Sequence, residues 1–290
     1  MKNLFTPSTW KEYELIDCGD LEKLERFGQY ILRRPEPQAL WKKQYSEQEW
    51  QKLTDIKFTQ KGSHAGVWTK NKNIADKWKL SYPLQEKQLN FNLSLTSFKH
   101  IGIFPEQALN WEYIYAKTKL VANTPKVLNL FAYTGGASLA AKAAGADVTH
   151  VDSVKQVISW SKENMLASGL TDIRWVVEDA LKFVKREVKR GNKYNGIILD
   201  PPAYGIGANG ERWKLEDSIN EILQDIALLL DKKHFLVLNV YSLGLSPLIL
   251  ENLIKTNFNQ SENLELGEVF LQAKSSVKLP LGILARFCNL

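Results

Sequence analysis

The sequence predicts an α/β protein. A Rossmann-like, mostly parallel sheet, closed by an antiparallel C-terminal strand, follows a smaller β-rich N-terminal domain. Three observations predict it. From Lys126 onward, short apolar runs alternate with amphipathic helical runs, as repeated β-α units do. The last two extended runs, Leu264 to Ala273 and Gly282 to Cys288, have no helix between them and read as an antiparallel hairpin at the sheet edge. Before Asn123-Thr124-Pro125 the texture is different, rich in aromatics and irregular. The expected division is a β-rich domain over 1–100, a connecting helix over 101–124 and the main domain over 125–290.

Taken in order, the first part offers three extended pieces: Gly66 to Thr69, Trp78 to Tyr82 and Leu89 to Thr96. The last alternates apolar and polar with period two, the mark of a half-buried strand. Pro105 to Val121 reads as a helix with proline near its start and Leu109, Ile114, Ala116 and Leu120 toward the core. Lys126 to Phe131 is a short buried strand, and Ala137 to Ala144 a small-residue helix ended by Gly145. Then come a strand at Asp147 to Val151, a helix at Val154 to Ser168 closed by Gly169, and a strand at Ile173 to Val177. A helix with a basic face, Ala180 to Lys189, leads to the strand Tyr194 to Leu199, which ends in Asp200-Pro201-Pro202. The helix Leu215 to Leu230, the strand Phe235 to Val240 and the helix Ser246 to Lys255 complete five units.

The chain has 290 residues, 44% hydrophobic and 24% charged, the balance of a soluble globular protein. No apolar run is long enough to span a bilayer, and the first twenty residues have no signal-peptide pattern. Cys18 and Cys288 supply neither a disulfide framework nor a zinc spacing, so a cytoplasmic protein with reduced thiols is expected. His64, His100, His150 and His234 lie at no metal-ligand spacing; no metal is expected, and each reads as structural. The net charge of +6 is concentrated. Leu40 to His100 holds eleven Lys, no Arg and five acids, an excess equal to that of the whole chain. The same stretch carries Trp41, Tyr45, Trp50, Phe58, Trp68, Trp78, Tyr82, Phe91 and Phe98. Lysines among aromatics suit a nucleic-acid surface, but rings in a core beneath a solvated lysine face fit equally. Lys182, Lys185, Arg186, Lys189, Arg190 and Lys193 read as a solvated face.

In doubly wound sheets ligands sit at the carboxyl ends of the strands. Asn129, Phe131, Tyr133, Gly135, Gly136 and Ala137 put strand, loop and helix start in the order this needs, with two glycines where backbone must approach a ligand. The loop is not G-x-G-x-x-G, so it lacks the run of glycines that cradles a dinucleotide pyrophosphate. S-adenosyl-L-methionine has no phosphate and needs less. Asp152, followed by Ser153, stands where a carboxylate binds ribose hydroxyls. Asp179, followed by Ala180, suits the adenine amino group, although acids at such places also cap helices. Asp200, Pro201 and Pro202 form a stiff loop whose carbonyls are expected to point outward and, with Asp200, to accept from a substrate N–H. Tyr204 is expected to stack on a flat base. Ile206 to Trp213 is a candidate lid.

Asn129 to Gly136 with Asp200-Pro201-Pro202 resembles the bacterial large-subunit ribosomal RNA methyltransferases of the class I S-adenosylmethionine-dependent superfamily. The subgroup it resembles carries Phe104-Pro105-Glu106-Gln107 and Pro201-Pro202-Ala203-Tyr204-Gly205. Glu163-Asn164, Glu178-Asp179-Ala180 and Leu279 to Gly282 fit too, and the resemblance runs from about Gly62 to the C-terminus. It implies that Phe104 and Gln107 line the cofactor pocket from outside the main domain, and that the substrate is RNA, presumed ribosomal. Two departures matter. The family's cytosine-C5 enzymes attack the base with a cysteine after the fourth or fifth strand; here those places read DPPAYG and NVYSLG, so a nitrogen target fits better. No RNA-binding PUA domain is evident. Other readings remain open at this point: a protein or small-molecule methyl acceptor, a nicotinamide-dependent oxidoreductase, or a non-catalytic RNA-binding protein.

Overall fold

Two sheets and a hairpin organise the chain, each grown from a different sequence texture. The computed structural model describes residues 3–8, 10–62, 65–207, 210–241, 244–259, 261 and 263–290; His64 lies outside them. The N-terminal part comprises β1 (Asn3–Phe5), β2 (Tyr13–Gly19), β3 (Glu22–Phe27), β4 (Tyr30–Pro35), α1 (Glu47–Leu53), β5 (Ile56–Lys61), β6 (Ala65–Lys70), β7 (Lys77–Leu84) and β8 (Lys87–Ser94). A 3-10 turn, Pro105–Gln107, opens α2 (Ala108–Val121). Then follow β9 (Lys126–Leu130), α3 (Gly136–Ala143), β10 (Asp147–Asp152), α4 (Lys155–Ala167), β11 (Ile173–Val177), α5 (Ala180–Lys189) and β12 (Tyr194–Leu199). The chain ends with β13 (Tyr204–Ile206), β14 (Arg212–Lys214), α6 (Leu215–Leu229), β15 (Leu230–Val240), α7 (Pro247–Asn257), β16 (Glu265–Gln272) and β17 (Lys278–Asn289).

The large sheet runs β1-β16-β17-β15-β12-β9-β10-β11. The five strands from β15 to the edge strand β11 are parallel and read as near-continuous apolar runs, because helices cover both faces. Strand order reverses between β9 and β12, which opens a crevice at their carboxyl ends. The expected β16–β17 hairpin is present, with β17 antiparallel to β15. Outside it lies a strand the sequence reading did not anticipate: β1 pairs parallel to β16. Gly267 permits this, since a Cβ there would sit 2.0 Å from the Asn3 carbonyl oxygen.

The second sheet, β2-β3-β4-β5-β6, was also partly hidden in the sequence. Its first three strands carry buried charge, with Glu25 fully buried against Arg34, so hydrophobic alternation does not mark them. Helix α1 starts at Ser46 with a capping box to Glu49. The β7–β8 hairpin joins the two sheets: Asn92 N–H donates to Asn164 Oδ1 of α4 (2.8 Å), and Trp10, Tyr82, Phe91 and Trp111 pack ring against ring. Most of the aromatics among the lysines are therefore core. Trp50, Phe58, Tyr82 and Phe91 are buried, and Phe98 is the one exposed ring of that set. The basic residues around α5 are solvated and largely paired, Lys182 with Glu211, Lys185 with Glu221 and Arg186 with Glu178.

Helix α2 corrects one expectation. Leu109 and Ile114 are buried as expected, but Ala116 and Leu120 face solvent. Trp111, Tyr113, Tyr115 and Val121 are buried instead, because α2 is wedged between β15, α3 and the β7–β8 hairpin and leaves Ala116, Lys119 and Leu120 free. Ile114→Ala should therefore lower the unfolding free energy by roughly 2–5 kcal/mol, and Leu120→Ala by no more than about 0.5. Urea denaturation of the two variants checks this; equal losses would contradict the observed orientation of α2.

Candidate active site

The turn after β9 is wound against its own preference. Phe131 (φ 55°), Tyr133 (φ 47°) and Gly135 (φ 93°) are all left-handed within five residues. The two side-chain-bearing positions cost on the order of 1–3 kcal/mol each unless neighbours hold them. Neighbours do. Tyr133 N–H donates to Asp152 Oδ2 (2.9 Å), and Tyr133 carbonyl accepts from Ser161 Oγ (2.7 Å). Thr134 Oγ1 donates to the Gly102 carbonyl (2.6 Å), and Asn164 Nδ2 donates to the Thr134 carbonyl (3.0 Å). Beneath the turn, Asn129 Nδ2 donates to Ser138 Oγ (2.9 Å), which lies 2.9 Å from His150 Nδ1. Burial pushes the His150 pKa down to about 3, so the ring is a neutral member of this network, the structural role expected of it. Gly136 must lack a side chain, since a Cβ would meet the Trp111 ring at 2.8 Å.

Two adjoining cavities open at the crevice. The larger, of about 580 Å³, is walled by Phe104, Phe131, Tyr133, Asp152, Ser153, Asp179, Ala180, Asp200 and Pro202 among others. The smaller, of about 50 Å³, lies under the turn and is walled by Gln107, Asn129, Gly135, Gly136 and Ala137, again with Phe104, Phe131, Tyr133 and Asp200. Most of the residues expected from sequence thus converge. Asp152 accepts backbone N–H groups from Tyr133 on Oδ2 and from Val154 on Oδ1 (2.9 Å each), and a carboxylate with about four acceptor sites keeps room for a further donor. Burial raises its pKa against backbone hydrogen bonds from Val154, Tyr133 and Ser153. Asp179 caps α5 through Lys182 N–H (3.0 Å) while still facing the cavity. Both readings of that residue are compatible with its geometry.

Three expectations need correction. The loop after Asp200 does not leave its carbonyls outward: Pro202 accepts from Trp213 Nε1 (2.6 Å) and Ala203 from Leu215 N–H (3.0 Å). This follows from β13 pairing with β14, which folds the loop back onto the start of α6. Pro201 is buried outside both cavity walls. Tyr204 is 54% exposed on β13 and does not line either cavity, so it is not poised in this structure to stack on a bound base. The candidate lid is the β13–β14 hairpin, with residues 208 and 209 outside the described residues.

Several wall residues were not anticipated. Gln107 Nε2 donates to Tyr241 Oη (2.7 Å), and Tyr241 Oη donates to Glu106 Oε1 (3.3 Å), tying the 3-10 turn to the end of β15. Tyr241 follows a predicted strand end, so the strand-end rule could have found it. Among the described residues, neither amide atom of the buried Asn239 has a hydrogen-bond partner, and neither does Asp200 Oδ1. Burial, reinforced by Glu106 and opposed by the nearby Asn239 side chain, raises the Asp200 pKa well above the usual carboxylate range. Unpartnered buried polar atoms cost about 1–3 kcal/mol each, and here they face the cavities where a ligand would meet them.

Residues 56–255 match the family model described as S-adenosylmethionine-dependent methyltransferase. The chain belongs to this family. It is an enzyme of the S-adenosylmethionine-dependent class, which sets aside the oxidoreductase and non-catalytic readings. The crystal structure of a SAM-dependent methyltransferase from Agrobacterium tumefaciens is 36% identical with a TM-score of 0.90, covering 99% of this chain and 93% of that one. Among curated relatives, the ribosomal RNA large subunit methyltransferase K/L of Shewanella frigidimarina is 34% identical over 146 residues, 49% of this chain. Its counterpart from Shewanella amazonensis is 33% identical over 161 residues, 54% of this chain. The methyltransferase spans about a fifth of the length of these two relatives, 19% and 21%. Among the described residues, no helix is long and apolar enough to cross a membrane.

In this methyltransferase, Asp152→Ala would leave the Tyr133 and Val154 N–H groups without their acceptor and release the left-handed turn. Losing the acceptor of the part-buried Tyr133 N–H costs about 1–3 kcal/mol, so S-adenosylhomocysteine affinity should fall roughly 5- to 150-fold. Isothermal titration checks it; undiminished affinity would show that the turn holds without Asp152.

Proposed function

We propose that this methyltransferase transfers a methyl group to a base nitrogen of RNA, ribosomal RNA in particular. The observation that carries the reading is Asp200: a buried carboxyl at the end of β12, on the wall of both cavities, with an oxygen that has no partner among the described residues. The names of the curated relatives support an RNA acceptor. Cysteine chemistry is not at hand, because Cys18 is buried in β2 and Cys288 lies in β17, away from the cavity walls. We place the protein in the cytoplasm, where such an acceptor and two unpaired cysteines belong.

The wall residues fit the cofactor. S-adenosylmethionine supplies an electrophilic methyl on a positively charged sulfur. Asp152 offers its remaining acceptor capacity to ribose hydroxyls, with Ser153 beside it, and Asp179 with Ala180 faces the adenine. Phe104, Phe131 and Tyr133 present ring faces suited to a cation, and the small cleft by Gln107, Asn129 and Gly135 to Ala137 takes the amino-acid end. Asp200 accepts a hydrogen bond from the acceptor's N–H and so turns the nitrogen lone pair toward the methyl. S-adenosylmethionine would supply the methyl and leave as the neutral thioether; Asp200, which must be ionised when the acceptor binds, would take the proton that the methylated nitrogen releases, and its raised pKa suits it to keep one. The domain division over 1–100, 101–124 and 125–290 becomes a division of labour, acceptor binding before cofactor binding, with β1 reaching across to the second.

Labelled methyl transfer to total RNA, with and without nuclease, tests the assignment; label that survives nuclease, or none at all, would sink it. Asp200→Asn should lower kcat by roughly 10²–10⁴ with S-adenosylhomocysteine binding retained. Its stability effect has a definite sign. Asp200 gives up its proton near pH 3.9 in the unfolded chain and at higher pH in the folded one. Below about 3.9 both states hold the proton and the variant gains nothing from this source. As pH rises toward the folded value, the native protein loses stability that Asp200→Asn keeps. Melting temperatures of the cofactor-free proteins from pH 4 to 8 should therefore diverge in favour of the variant. Parallel curves would mean that burial does not hold the proton on Asp200.

A further inference from the structure

One wall of the large cavity comes from outside the parallel sheet. Lys23 on β3, Arg34 on β4, and Glu36, Gln38 and Lys99 in the segments after β4 and β8 line it opposite the strand ends. Its cations are unequally partnered. Arg34 grips Glu25 Oε2 through Nε (3.0 Å) and Nη2 (2.6 Å), and its Nη1 holds the Lys99 carbonyl (3.0 Å). Lys23 Nζ pairs with Glu36 (3.2 Å) and Glu25 (3.6 Å). Lys99 is the third cation. Among the described residues its ammonium has no carboxylate partner, and its one contact is a long one to the Pro35 carbonyl (3.4 Å). Glu106, buried on the same wall and coupled to Lys23, is a third acid whose pKa burial raises, so Lys99 is the cation of the three left without a carboxylate of its own. Burial lowers the Lys99 pKa; Glu36 opposes that, while Lys23 and Arg34 reinforce it. A half-buried ammonium beside two more cations is a costly arrangement that an anion would complete.

We infer that Lys99, backed by Lys23 and Arg34, forms an anion subsite that takes a phosphate group of the methyl acceptor. The cofactor is the poorer occupant for two reasons. Its binding groups in a doubly wound sheet come from the ends of the parallel strands, and the acids there match its positive charge. An RNA acceptor brings one phosphate with every nucleotide, so a target base entering the cavity carries its phosphate toward this wall. The inference rests on the RNA reading for the identity of the acceptor. The subsite itself can be tested without it.

With the full chain saturated in S-adenosylhomocysteine, isothermal titration with inorganic pyrophosphate should show binding that Lys99→Gln weakens about tenfold or more. A hydrogen bond to a charged group is worth roughly 1.5–3 kcal/mol. Lys99→Arg should stay within about threefold of wild type, since it keeps the charge. Neither variant should change S-adenosylhomocysteine affinity, which also reports that each is folded. With ribosomal RNA as acceptor, Lys99→Gln should raise KM with kcat nearly unchanged, and lower the slope of log affinity against log salt by about one. In the wild-type protein, pyrophosphate should protect Lys99 from amine acylation, read by peptide mass spectrometry, which needs no variant to fold. Absence of protection, or pyrophosphate affinity unchanged in Lys99→Gln, overturns the subsite. So does a loss of S-adenosylhomocysteine affinity in a folded Lys99→Gln protein, which would give the charge to the cofactor. Pyrophosphate binding that depends on Lys99, together with no methyl transfer to RNA, would uphold the subsite and reject the RNA reading alone.

Discussion

The hydrogen bond from Tyr133 N–H to Asp152 carries more of this structure than its 2.9 Å length implies. It ties the turn after β9 to the end of β10, and through Val154 N–H the same carboxylate fixes the start of α4. Two non-glycine residues stay left-handed because of such ties. Ser161, Asn164 and the Gly102 carbonyl complete the clamp, so α4 and the segment before the 3-10 turn help shape one loop. The cavities exist because the turn is held open in this way rather than collapsing into an ordinary helix cap.

Stability is set against function along the same walls. Asp200, Glu106 and Asn239 would be better satisfied in water than where they are. The ring of aromatics around Trp111 and the apolar parallel strands offset their cost. Rigidity follows from the same packing, since Trp111 presses on Gly136 from below while Phe104 and Tyr133 flank the opening, their rings 5.3 Å apart. The polar groups therefore meet a ligand without first having to reorganise.

The N-terminal sheet does more than add mass. Its β3 and β4 strands bury ion pairs at the cavity edge, and its β7–β8 hairpin is bonded to α4 at Asn90 and Asn92. The loop between β16 and β17 reaches back to β2, where Ser275 Oγ donates to Asp17 (2.6 Å). Through these bonds, the segment that carries the cations is held in register with the strand ends that carry the acids.

The parallel core, the order of its elements and the cofactor turn were legible in the sequence. They depend on local signals: apolar runs of strand length, glycines at turns, and acids at strand ends. Asp152, Asp179 and Asp200 were found that way, and so was the 3-10 segment through its resemblance. Other features were not legible. Charged β2 to β4 hide their strands because buried Glu25 and Arg34 satisfy each other across the sheet, and no periodicity records that. Ala116 and Leu120 look like core until a hairpin and a sheet claim the other side of α2. The carbonyls of Pro202 and Ala203 look free until β14 folds back upon them, and Tyr204 leaves the cavity with them. Lys23, Arg34 and Lys99 lie far from the cofactor motifs in sequence. What the sequence by itself determined is the strand-end half of the cavity wall, because strand ends bring those residues together by local rule. What only the tertiary structure decided is the opposite wall, because charges there meet through contacts as far apart along the chain as Arg34 with Lys99, 65 residues.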